Sequence, residues 1–67
     1  MTAYFKRNTI SLPLPDCCYL EFLHSDIDNV IEVDVYEVVF SDDATQKQIA
    51  SVEDALERDP NCVQFVH

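Results

Sequence analysis

The sequence predicts an α+β domain: a small, largely antiparallel sheet of three to four strands with one amphipathic helix packed on one face. Three observations carry that expectation. Ile31, Val33 and Val35 alternate with Glu32, Asp34 and Tyr36 at period two, and residues 44–58 place apolar side chains at helical spacing. Between these elements lie clusters of Asp, Asn, Ser and Pro, in a chain with no glycine.

The elements are expected in the order β-β-β-α-β. Tyr4 to Leu12 reads as a first strand, whereas Leu12-Pro13-Leu14-Pro15 cannot sit inside a sheet and reads as an extended connection or edge. Cys18 to His24 is a second strand, with Leu20 and Phe22 on one face and Tyr19, Glu21 and Leu23 on the other. Ser25-Asp26-Ile27-Asp28-Asn29 supplies the side-chain oxygens of a turn, so this strand and Val30–Phe40 form a hairpin. The third strand is rich in β-branched and aromatic residues, but Val38 and Phe40 fall in phase with Glu32 and Asp34. A bulge near Tyr36 to Glu37, or a sheet covered on both faces, would explain the slip.

From Ala44 to Arg58 the period becomes helical. Thr45, Ile49, Val52 and Leu56 share one face, while Lys47, Ala50, Asp54 and Arg58 face away. Asp43 as N-cap with Gln46 three residues later resembles a capping box, and Asp42 and Asp43 complement the helix dipole. Asp59-Pro60-Asn61 stops the helix, and Val63 to His67 forms a last strand. If that strand lies beside the long hairpin strand, the crossover through the helix is right-handed.

Length and charge narrow the function. The 67 residues make one domain, too small for a deep active site. Leu, Ile, Val and Phe supply 21 of them, enough for a folded core despite a net charge of −9. An acidic chain is repelled by nucleic acid and by anionic membranes, so direct binding of either is not expected. The N-terminus has no secretory pattern, no apolar run is long enough to span a membrane, and three cysteines fit free thiols in a reducing cytoplasm.

The charge is concentrated. Asp16, Glu21, Asp26, Asp28, Glu32, Asp34, Glu37, Asp42 and Asp43 lie in one stretch without a single Lys or Arg, whereas residues 1–15 contain Lys6 and Arg7 and no acid. On an exposed strand face, Glu32 and Asp34 would project roughly 6.8 Å apart, with Glu21 beside them and Asp26 and Asp28 at the hairpin tip. Such a row imitates a phosphate backbone. Acidic side chains also keep small domains in solution, but a long run without bases leaves repulsion unrelieved in a marginal domain. Tyr36, in phase with Glu32 and Asp34, or Tyr19, in phase with Glu21, would anchor a partner that the carboxylates attract.

Other chemistries fit less well. Asp26-Ile27-Asp28-Asn29 has too few ligands for a calcium loop and no glycine at the bend. Cys17, Cys18, Cys62, His24 and His67 lack zinc-site spacing, and adjacent cysteines on a strand face opposite ways, one in the core and one partly exposed. Nothing brings a nucleophile, base and orienting group together. Neither catalysis, a metal nor a cofactor is expected.

In size, charge and architecture the whole chain resembles the small acidic inhibitors that phages and mobile elements make against host proteins, including anti-CRISPR proteins and other DNA mimics. The resemblance implies a non-catalytic inhibitor of a basic nucleic-acid-binding protein, with a CRISPR–Cas effector or another host DNA-processing protein as target. A different class is a small interaction or assembly module, antitoxin-like or an accessory subunit, using an apolar sheet face or edge around Val38, Val39 and Phe40. A monomer or a homodimer is compatible with either.

Overall fold

The computed structural model describes residues 1–10 and 14–67, and the side chain of Asp28 is outside that description. It has four strands and one helix: β1 (Thr2–Lys6), β2 (Cys18–Asp28), β3 (Ile31–Phe40), α1 (Gln46–Arg58) and β4 (Cys62–Val66). The sheet order is β2-β3-β1-β4, and every neighbouring pair is antiparallel. The α+β class, the element order and the single helix are those that the sequence predicts.

The last strand does not lie beside the long hairpin strand. β4 pairs with β1, so β1 lies between β3 and β4 and the connection through α1 skips one strand. At that central position Ala3 and Phe5 of β1 are fully buried. The first strand is correspondingly earlier than expected, at Thr2–Lys6. The expected extension beyond Lys6 does not form as far as Ile10, because the chain turns at Arg7-Asn8, with Asn8 at φ 60° and Thr9 N–H donating to the Lys6 carbonyl. Its last residues, 11–12, and Pro13 of the expected connection lie outside the described residues.

The hairpin is longer than the sequence suggests. β2 continues through Ser25, Asp26, Ile27 and Asp28, and only Asn29 and Val30 form the loop. Both have positive φ, 49° and 65°, the left-handed pair that a two-residue hairpin loop needs to match strand twist. Asn tolerates that region, but a β-branched valine does not, and Val30 is 94% exposed with no packing to offset the strain.

The phase slip reflects a sheet covered on both faces at β3, with Val33 and Val35 buried on the face away from the helix and Asp34 and Val38 on the helix side, and the bulge lies on the partner strand. β3 pairs with β1 without interruption from Glu37 to Val33, while in β2 the register moves from Phe22↔Tyr36 to His24↔Val35, leaving Leu23 as the extra residue of a bulge. β3 therefore alternates regularly, and Glu32, Asp34, Tyr36, Val38 and Phe40 share the face that α1 covers. Helix residues Val52 and Leu56 join Ala3, Phe5, Cys18 and Val38 in one core, with Leu20, Tyr36, Phe40 and Phe65 around it. Burial of Phe5 and Leu56 contributes about 2–3 kcal/mol each.

The helix start is two residues later than expected. Thr45 is the N-cap: its hydroxyl accepts from Gln48 N–H at 3.1 Å, and the Gln48 amide oxygen accepts from Thr45 N–H at 2.9 Å. Asp43 precedes the cap, where Ala44 N–H closes a turn onto the Ser41 carbonyl. At the other end Asp59 is extended, as a residue before proline must be, and its carboxylate accepts from Asn61 N–H at 2.8 Å.

Glycine in place of Val30 removes the left-handed penalty. Val30→Gly should stabilise the fold by about 1 kcal/mol and raise the melting temperature by roughly 4–8 °C. A thermal melt showing no gain would contradict the strained loop.

Candidate functional site

The sequence predicts one exposed acidic row containing Glu32, Asp34 and Tyr36. The structure places these three on the helix-side face, where they have other partners. Phe5 and Arg7 are two residues apart, so the strand that buries Phe5 carries Arg7 to the same face just beyond the end of the helix-covered core. There Arg7 Nη1 lies 2.7 Å from Glu32 Oε2, and its Nε lies 3.9 Å from Asp34 Oδ1. Asp34 is only 9% exposed and also accepts a hydrogen bond from the Ser25 hydroxyl at 2.9 Å. Tyr36 is half-buried and meets Phe5 and Phe22 edge to face. Burial raises its phenol pKa, and the charge of Asp34 adds to the effect. The repulsion expected within the acid-only stretch is thus relieved here by a base 25 residues away in sequence.

The opposite face carries a different row. Residues that pair across strands share a face, which puts Glu21 with Glu37 and Asp26 with Val33. Since β3 is regular from Val33 to Glu37, all four lie on the face away from the helix. Glu21 and Asp26 are five residues apart and would point to opposite faces of a regular strand. The Leu23 bulge restores them to one face. Asp28 pairs with Ile31 at the end of the ladder.

Two carboxylates directly opposed, Glu21 and Glu37, repel each other. Glu37 is partly compensated by the Met1 ammonium at 3.4 Å and by the Thr2 hydroxyl, also at 3.4 Å. Glu21 is exposed and has no ion-pair partner among the described residues. The same holds for Asp26, whose carboxylate accepts from the neighbouring Ile27 N–H, and for Asp16, Asp42 and Asp43 at the base of the hairpin. Asp16 and Asp43 line an open cavity of about 380 Å³ with Cys17, Ser41, Thr45 and Gln48. Uncompensated carboxylates therefore run along the hairpin in a molecule 38 Å long.

The helix acids are engaged. Asp54 pairs with Arg58 at 3.1 Å, and His67 reaches Glu53 at 2.8 Å through Nδ1 and Glu57 at 2.6 Å through Nε2. Among the described residues no group of three His, Cys, Asp or Glu side chains is arranged to hold a metal. Both Cys17 and Cys18 are buried, contrary to the expected division between core and surface, because the chain turns at Asp16-Cys17 before the strand begins. Burial, then the adjacent Cys17, raises the Cys18 pKa, and burial also raises that of Cys62.

The hairpin also exposes apolar surface that sequence reasoning places elsewhere. Val38 is buried and Val39 and Phe40 are half-buried, so the expected apolar patch is covered. Instead Tyr19, Phe22, Leu23, Ile27, Val30 and Ile31 are exposed. The signal available in the sequence was the run of large apolar residues on both sides of Asp26-Ile27-Asp28, read there as a turn.

No family model matches this chain, and neither a curated protein nor a solved structure does.

Arg7→Met should cost about 1–2 kcal/mol in a urea titration, because it leaves the buried Asp34 carboxylate without its cation. Glu32→Gln, at an exposed pair, should cost no more than about 0.5 kcal/mol. Equal losses would contradict the roles assigned to the two acids. A raised pKa leaves less thiolate at neutral pH, so Cys18 and Cys62 should be alkylated more slowly than an unfolded-chain cysteine, as mass spectrometry of iodoacetamide adducts would show. Immediate labelling of both in the folded chain would contradict their burial.

Proposed function

We propose that this chain is a non-catalytic inhibitor that occupies the phosphate-contacting surface of a basic, nucleic-acid-binding protein with the carboxylates of its β2–β3 hairpin. The observation that carries this reading is the set of exposed acids Asp16, Glu21, Asp26, Asp42 and Asp43, which run along the hairpin and its base without a basic partner among the described residues. Leaving them unpaired costs a small domain stability, and a cationic partner recovers that cost on binding. Glu32 and Asp34 contribute less, since Arg7 pairs with both and offsets one of their two charges. The class resemblance makes a CRISPR–Cas effector the first target to test, with other host DNA-processing proteins after it.

One observation favours the interaction-module reading. The same hairpin leaves Phe22 and Ile27 exposed on its helix-side face, with Leu23 at the bulge, and exposed apolar side chains grouped on one face commonly mark a protein contact. The two readings separate by mutation. In a competition assay between the full chain and DNA for a captured effector, replacing both Glu21 and Asp26 by Lys should weaken inhibition about tenfold or more. Asp54→Lys, on the helix, should leave it unchanged. Undiminished inhibition by the double variant, with loss on Phe22→Ser and Ile27→Ser, would replace the inhibitor reading by the module reading.

A further inference from the structure

β2 is an edge strand, and the ladder fixes which of its backbone groups face outward. Val38 N–H donates to the Met1 carbonyl at 2.9 Å, so Val38 and Tyr36 turn toward β1 and Val39 and Glu37 toward β2. At the base of the hairpin Ser41 N–H donates to the Cys17 carbonyl at 2.8 Å, in agreement. Tyr19 and Glu21 therefore face β3, while Leu20 and Phe22 present N–H and C=O to the open edge.

The two halves of that edge differ. Beyond the Leu23 bulge side chains engage two of the outward backbone groups: Ile27 N–H donates to Asp26 Oδ1 at 2.7 Å, and His24 Nδ1 lies 3.2 Å from the Ser25 carbonyl. Both features blunt an edge against pairing. In the Cys18–Phe22 half, Cys18 N–H is taken by the Pro15 carbonyl, but Leu20 and Phe22 have no outward partner among the described residues.

We propose that the Cys18–Phe22 half of β2 accepts an extended segment of the basic partner as a fifth strand, and that this segment alternates apolar and Lys or Arg side chains. The inference rests on the inhibitor reading and names what its acidic surface recognises. Charge and pattern specify the occupant. On the helix-side face an added strand lies beside Leu20 and the exposed Phe22, which call for apolar neighbours. On the other face it lies beside Glu21, whose opposed Glu37 leaves the pair short of positive charge. A second copy of this chain brings another −9 and further carboxylates to the same edge, so it fits poorly.

The test uses the full chain, isotopically labelled, with two synthetic peptides of identical composition: one alternating Val and Lys, the other with its lysines clustered. The alternating peptide should slow amide exchange at Leu20 and Phe22 about tenfold or more and leave Ile27 unchanged, and Glu21→Lys should abolish that protection. Equal binding of the two peptides with no protection at Leu20 and Phe22 would overturn strand addition while leaving charge recognition intact. Failure of both peptides, together with failure of the chain to compete with DNA on a captured effector, would remove the inhibitor reading as well. Protection of the two amides that grows with protein concentration, without peptide, would assign the edge to a second copy and overturn the proposal.

Discussion

Phe5 and Ala3, buried at the centre of the sheet, organise the molecule. They lie in one core with Val52 and Leu56 of the helix, so β1 holds sheet and helix together. β3 and β4 flank β1, and the chain crosses over it through α1. The same placement decides the electrostatics. Two residues beyond Phe5, Arg7 arrives beside Glu32 and Asp34, and at the other end of β1 the Met1 ammonium meets Glu37. Arg7 and the Met1 ammonium are thus spent on β3, while Lys6 lies across Val33 from Asp26 without an ion pair among the described residues.

What remains uncompensated is β2 and the base of the hairpin, and the Leu23 bulge gives that remainder its form. An extra residue moves Asp26 onto the face of Glu21, away from the helix, and beyond it side chains engage the outward Ile27 N–H and Ser25 carbonyl. Acidic charge, exposed aromatic surface at Tyr19 and Phe22, and unpaired backbone groups then coincide on one strand. Charge attracts over a distance, whereas backbone and apolar contacts select at close range.

Much of this was legible in the sequence. The period-two run of residues 31–35 and the helical spacing of Ile49, Val52 and Leu56 gave the elements; the helix is buried on one face, whereas β3 is buried on both, which is why its alternation breaks after Val35. The inward sheet position of β1 was less accessible, since five residues around Ala3 and Phe5 look the same whether at an edge or at the centre. Asp26 and Asp28 favour turns locally, yet the strand continues through them because its ladder with β3 outweighs that preference. The concentration of charge was visible, but its division was not. Arg7 lies far from Glu32 in sequence, and no local rule pairs them, so the row first suggested by Glu32 and Asp34 gives way to the one built on Glu21 and Asp26.

The central claim is that unpaired carboxylates along β2 and the base of the hairpin govern recognition. The most direct test is the association rate of the full chain with a captured basic effector, measured by stopped flow from low to high ionic strength. Attraction between exposed charges is screened over about 8 Å at physiological salt, so the rate should fall steeply as salt rises. A rate that does not change with salt would contradict it.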